Sequence, residues 1–380
     1  MKIKFLLLLL LMAGCAAPPP ARMDESDSDF ASLAAPGQQV WAYHAAWMGE
    51  AWRVYDLRAF GRLLFFDLQA GRDGRIANRN GWPERWEEFR ARAREARVPV
   101  NPVVTVLAAD VFTAIFASAE ARGRLLAEVA ALARDAGGVH LDVEVFDPVG
   151  EAEIAGYRRF LAELRAALDR PPRRTLTAFV PAGVSLYGPG ELALLDAVVA
   201  QGYDLHWRNG ATAGPVATLQ GQSPVAWQTA AGTLAAQGVP SRRILFSTPL
   251  YGYEWPTVSA EPRAAARGPG SIITYAPVPA ALLPDIRGNA LARAAEHGLR
   301  REAGTLAPWY AYRDGDGWRQ GWFDDAASLA PRLEFVRAGD YRGVALFLLG
   351  YDGGALLEAI ASGFRAGSEG AAGAGRQAGR

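Results

Sequence analysis

The sequence predicts an α/β fold: a (β/α)8 TIM barrel with a small α+β insertion after its seventh strand. Three observations carry this reading. Eight short apolar runs recur along one continuous region. Amphipathic stretches of helical period fall between several of them. One interval, after the seventh run, is too long for a barrel loop.

The strand candidates are Val40–Ala45, Arg62–Leu68, Val98–Val106, Gly138–Val145, Thr175–Pro181, Ala197–Asp204, Arg243–Tyr251 and Gly343–Leu349. Most lack polar alternation, as parallel strands do when helices cover them. The helix candidates are Glu84–Ala96, Ala119–Ala136, Glu151–Asp169, Pro224–Gln237 and Ser328–Arg337. Strands alternating with helices argue for a parallel barrel. The interval from Gly252 to Trp322 reads as the inserted subdomain, with Trp309, Trp318 and Trp322 in its later part.

Both ends differ in composition. Lys2 and Lys4, the only lysines, precede the apolar run Phe5–Met12. That run is too short to span a bilayer and reads as a signal peptide over residues 1–14. It ends in Leu11-Met12-Ala13-Gly14-Cys15, which resembles the bacterial lipoprotein box. Cys15 would then be lipidated and become the mature N-terminus. An ordinary cleaved secretory peptide is the other reading. Ala16 and Ala17 after the cysteine imply, by resemblance to known sorting rules, the outer membrane of a bacterial envelope. Pro18–Pro36 reads as a tether and Ala366–Arg380 as a disordered tail. The single cysteine excludes a disulfide framework. With 40 basic and 40 acidic residues, nothing suggests a nucleic-acid partner. No serine-nucleophile elbow or glycine-rich phosphate loop appears. No cofactor is expected, and the chain is expected to be a monomer.

The fourth strand candidate is unusual. In "GGVHLDVEVF", Gly137–Phe146, strand alternation sends Val139, Leu141 and Val143 to the helical layer. His140, Asp142 and Glu144 then point into the barrel, with Glu144 nearest the C-terminal end, where barrel active sites sit. Two close carboxylates raise the proton affinity of at least one, as a general acid requires. The alternative is a polar layer of the barrel core, satisfied by hydrogen bonds.

Gly137–Glu144 resembles the strand-four signature of glycoside hydrolase family 18, the chitinase-like hydrolases, whose pattern is Asp-Gly-x-Asp-x-Asp-x-Glu. Asp142 and Glu144 match; Gly137 and His140 replace the first two aspartates. "LTAFVP" (Leu176–Pro181) looks like the family's strand five. Gln201-Gly202-Tyr203-Asp204 resembles its Met-x-Tyr-Asp motif, with Gln201 for Met. "PLYGYEW" (Pro249–Trp255) resembles strand seven, and "GVALFLLGYD" (Gly343–Asp352) strand eight, with Phe347 where the family usually has Trp. "YGYEW" and "FLLGYD" are also similar to a branch acting on bacterial cell-wall or spore-cortex glycans.

The resemblance implies cleavage of an N-acetylated oligo- or polysaccharide by substrate-assisted retaining catalysis. Glu144 would be the acid/base, Asp142 would hold the acetamide N–H, and Tyr203 would orient the acetamide oxygen. Asp204 would lie near the same sugar. His140, Tyr43, Gln201, Tyr251 and Phe347 would line the site, and Tyr43, Trp47, Trp207 and Trp255 are candidates for stacking on sugars. A non-catalytic carbohydrate-binding barrel is the alternative function. A metal-dependent hydrolase using His44, His140 and His206 with the two carboxylates is a third, although no metal-binding spacing supports it.

Overall fold

A computed structural model describes residues 38–184, 186–279, 286 and 288–364. The signal segment, Cys15, the tether and the tail lie outside them.

The strands in chain order are β1 (Gln39–Ala45), β2 (Arg62–Ala70), β3 (Ile76–Asn78), β4 (Val100–Val106), β5 (Gly138–Val143), β6 (Thr175–Val180), β7 (Ala197–Ala200), β8 (Ile244–Pro249), β9 (Tyr251–Thr257), β10 (Ser271–Thr274), β11 (Arg300–Arg301), β12 (Pro308–Asp314), β13 (Gly317–Trp322) and β14 (Gly343–Phe347). The helices are α1 (Glu87–Glu95), α2 (Ala109–Phe116), α3 (Ala119–Ala136), α4 (Glu151–Leu168), α5 (Pro189–Ala193), α6 (Trp227–Ala236), α7 (Ala290–His297) and α8 (Ala326–Ala338). Eight parallel strands, β1-β2-β4-β5-β6-β7-β8-β14, close on themselves through β14–β1 pairing. The eight strand candidates match the eight barrel strands. The TIM-barrel reading holds.

β9 to β13 form a separate five-stranded antiparallel sheet in the order β10-β9-β13-β12-β11. α7 packs on it through Ala290 and Ala294 against Ile273, Tyr310 and Phe323. Buried Glu254 is held there by the Tyr310 and Tyr312 hydroxyls at 2.8 and 3.0 Å.

Local chemistry explains how β5 is delivered. Ser118 caps α3, its Oγ accepting from the Ala121 N–H at 3.2 Å. Gly137 ends α3 with φ of 77° in the left-handed region, which a glycine enters without a Cβ penalty. The chain then turns straight into β5. A side chain at Gly138 would collide with Thr175 on β6.

Three expectations are corrected. β7 ends at Ala200 rather than Asp204, because its next backbone groups bond to side chains. Gly202 N–H donates to Ser247 Oγ at 2.9 Å, and Gly202 C=O accepts from Trp227 Nε1 at 3.0 Å. Tyr251 belongs to the insertion sheet, not to β8. α2 and α5 fall where no helix was expected, in an apolar stretch and a short Pro-initiated turn.

Candidate active site

The inward residues of β5 divide into two levels. The lower is a buried hydrogen-bonded layer. His140 is fully buried, with Nε2 2.9 Å from the Tyr43 hydroxyl and Nδ1 2.8 Å from Thr177 Oγ1. Thr177 Oγ1 donates to the Val139 carbonyl at 3.4 Å, so Nδ1–H donates to Thr177 and Nε2 accepts from Tyr43. Burial, reinforced by the Arg62 charge near the barrel base, lowers the imidazole to about 3. His140 is therefore neutral, and both its nitrogens are engaged within this layer. The polar-core reading holds for this residue and for Tyr43, which is enclosed and offers no face to a sugar.

The upper level holds the carboxylates. Asp142 is 4% exposed, and Glu144 follows the last residue of β5, its N–H donating to the Val106 carbonyl at 3.0 Å. The two side chains hydrogen-bond to each other. Burial raises Asp142 well above the usual carboxylate range, and the Glu144 and Asp67 charges add to it. Burial pushes Glu144 up to about 7; the hydrogen bond with Asp142 opposes this and the Asp204 charge adds to it. The pair thus keeps at least one proton through the neutral range. Asp142 Oδ1 is buried with no hydrogen-bond partner in the structure. Such an orphaned acceptor is costly unless a ligand N–H meets it.

Two more carboxylates face this pair. Asp67 on β2 accepts from Thr105 Oγ1 at 2.8 Å and Asn80 Nδ2 at 3.0 Å. The sequence reading missed it, since a lone acid in the run "LLFFDL" carries no pattern of its own. Asp204 adopts φ of 64° beyond the pinned end of β7. Its Oδ1 accepts from the Tyr251 and Tyr253 hydroxyls at 2.8 and 3.2 Å. Tyr253 was also missed; its signal is the two-residue alternation with Tyr251.

An aromatic floor lies beside the carboxylates. Phe347 stacks on Tyr203 at 6.0 Å and meets Tyr43, Phe66 and Tyr251 edge-on at 5.5, 5.6 and 6.4 Å. Burial, then the Glu144 charge, keeps the Tyr203 phenol protonated as a donor. Trp47 and Trp207 remain exposed at 43% and 49%. Trp255 does not join them. It is fully buried, with Nε1 donating to the Trp207 carbonyl at 3.3 Å, so it braces the loop instead of stacking on a sugar. Gln201 Oε1 accepts from the Ala182 N–H at 2.8 Å and steadies the loop after β6.

The three histidines of the metal reading do not converge. His44 faces the helical layer, packed on Trp86 and Phe89 with Nε2 donating to the Gly49 carbonyl at 3.1 Å. His206 Nδ1 donates to the Pro215 carbonyl at 3.0 Å. Among the described residues no three potential ligands gather at one point.

Two predictions arise here. Glu144 binds its proton more tightly folded than unfolded, so its contribution to stability is complete below the ordinary Glu range and is lost as pH rises to about 7. Glu144→Gln removes that loss. Thermal melts should show the variant gaining on the parent between pH 5 and 7.5; a constant offset would contradict the raised proton affinity. His140→Asp places a third carboxylate below Asp142. The alkaline limb of the pH–rate profile should move up by about one unit. Superimposable profiles would show that the layer is electrostatically silent.

The match to known proteins agrees with this geometry. Residues 65–352 match the model for glycosyl hydrolases family 18. A Bacillus subtilis protein named as a candidate sporulation-specific glycosylase is 30% identical over 220 residues, covering 55% of this chain and 45% of that protein. A cortical fragment-lytic enzyme of Bacillus cereus is 22% identical over 308 residues, covering 76% and 64%. The chain thus spans about half to two thirds of the length of these relatives. A chitinase of this family from Cycas revoluta, crystallised with an N-acetylglucosamine tetramer, superposes with a TM-score of 0.70 at 20% identity, covering 86% of this chain and 99% of that one. With its strand-four carboxylates at the C-terminal end of a closed eight-stranded barrel, and with the family model matched over most of its length, the chain belongs to glycosyl hydrolases family 18.

Proposed function

We propose that the protein hydrolyses β-linked glycans containing N-acetylglucosamine, with retention of configuration and with the substrate's own acetamide as nucleophile. The observation that carries this is the buried, proton-sharing Asp142–Glu144 pair at the barrel mouth, with Glu144 raised to about 7. In the proposed sequence Asp142, as a carboxylate, accepts the acetamide N–H at its orphaned oxygen, leaving the proton on Glu144. Glu144 gives that proton to the glycosidic oxygen as the C1–O bond breaks. The acetamide carbonyl oxygen, oriented by the Tyr203 hydroxyl, attacks C1 and forms an oxazolinium ion. Asp142 offsets its developing positive charge. Glu144, now a carboxylate, takes a proton from water as the water oxygen attacks C1. The intermediate opens, and Glu144 is again protonated. Asp204, held by Tyr251 and Tyr253, lies at the same sugar, with Phe347 as its apolar floor.

Release of reducing ends from chitooligosaccharides and from purified peptidoglycan tests this, with Glu144→Gln as control and product anomers read by NMR. Inverted product would overturn the acetamide route. Binding of chitotetraose without release would favour the non-catalytic alternative. The names of the Bacillus relatives favour cell-wall glycans as substrate. We also propose lipid attachment at Cys15 and an outer-membrane location. Incorporation of labelled fatty acid, lost in Cys15→Ser, would be the supporting result.

A further inference from the structure

The loop after β7 presents two exposed side chains in succession, Trp207 and Arg208. Its backbone is braced from the insertion. Besides the Trp255 bond to the Trp207 carbonyl, Gly270 N–H donates to the Arg208 carbonyl at 2.7 Å and Ala266 N–H to the Ala211 carbonyl at 2.8 Å. Gly210 N–H closes the turn on the Trp207 carbonyl at 2.8 Å. The two side chains thus leave a fixed platform.

Several arginines of the insertion and the barrel mouth have acidic partners, Arg72 with Asp110, Arg263 with Glu302 and Arg319 with Asp314, and Arg267, Arg300 and Arg313 donate to backbone carbonyls. Among the described residues, no carboxylate or hydrogen-bond acceptor is paired with the Arg208 guanidinium. Its charge nevertheless reaches Tyr253, which bonds Asp204. Arg208 is therefore close to the catalytic end of the barrel. A cleft of about 260 Å³ adjoins it, lined by Asn209, Gly210, Ala266, Gly268 and Pro269.

A neutral polymer offers an unpaired guanidinium hydroxyl and amide oxygens, but nothing that meets its charge. A carboxylate does, through the two-pronged hydrogen bonding that arginine favours. The mouth is otherwise lined by Asp67, Asp142, Glu144 and Asp204, which would repel an acidic group, so Arg208 marks the side on which one is tolerated. We infer that Trp207, Arg208 and the adjoining cleft form a subsite for an acidic substituent of the glycan, the carboxylate of a lactyl ether or of a peptide stem on an N-acetylated sugar. This rests on the reading of the protein as acting on N-acetylated glycans. The indole face takes the sugar ring, and the cleft takes the substituent.

The test measures affinities of the full chain carrying Glu144→Gln, which halts turnover, for three tetrasaccharides: neutral N-acetylglucosamine tetramer, one with lactyl carboxylates, and one with peptide stems. Adding Arg208→Gln should weaken an acidic ligand about three- to fivefold at low salt, with the difference fading at high salt. The neutral tetramer should change much less, and Arg208→Lys should restore part of the loss. An effect on the stem-bearing ligand alone assigns the carboxylate to the peptide; an effect on the lactyl ligand alone assigns it to the lactyl group, whose carboxylate becomes an amide once a stem is attached; an effect on both shows that the subsite accepts either. Equal changes for neutral and acidic ligands would overturn the subsite. Reducing-end release by the parent chain is followed in parallel. No release, with the charge-dependent binding intact, would remove the hydrolase reading and leave the subsite standing.

Discussion

Glu144→Gln is expected to lower kcat by about 10²- to 10⁴-fold, with little change in KM. Glutamine is nearly isosteric and preserves the packing at the end of β5. It has no proton to give the leaving oxygen and no carboxylate to activate water, so both halves of the reaction lose their acid/base. Steady-state kinetics on a chitooligosaccharide would show it. The same variant should be the more stable protein above neutral pH, because the raised proton affinity of Glu144 reflects a cost of burying its charge. Loss of activity with a gain in stability separates a catalytic role from a structural one. Activity within a fewfold of the parent would remove Glu144 from the mechanism.

Asp142→Asn should have the second largest effect, a fall in kcat of about 10²- to 10³-fold. The proposed intermediate is cationic, and only a charged partner stabilises it more than it stabilises the neutral substrate. Asparagine also donates a hydrogen bond to ionised Glu144 and removes a neighbouring negative charge. Both changes favour the Glu144 carboxylate, so the alkaline limb of the residual activity should move to lower pH. A fall in kcat without that movement would mean that the two carboxylates are not coupled as their hydrogen bond indicates.

The barrel was legible because its signals are local. Eight apolar runs and the amphipathic stretches between them are spelled out residue by residue, and the two-residue period of "GGVHLDVEVF" states which side chains face inward. Asp204 and Tyr203 could be placed through a motif, although not through the bend that presents them. That bend depends on Ser247 and Trp227 capturing the backbone of Gly202, contacts between residues far apart in the chain. Asp67 and Tyr253 had no motif. They become site residues only when β2 and β9 bring them to the same mouth.

Among the tryptophans, sequence could not separate Trp207 from Trp255. The two rings have the same chemistry, and their burial depends on where the insertion sheet folds back. His140 shows the limit most clearly. Its inward direction follows from strand alternation alone. Its neutral state follows from complete burial, the Arg62 charge and two hydroxyl partners supplied by β1 and β6. By itself, then, the sequence determined the barrel, its strand order and the carboxylates of strand four, because side-chain direction is a property of the local backbone. Which of the three inward residues is closed into a neutral hydrogen-bonded layer and which keep a raised proton affinity at the mouth was decided by tertiary structure, because proton affinity depends on desolvation and on neighbours that only the closed barrel brings together.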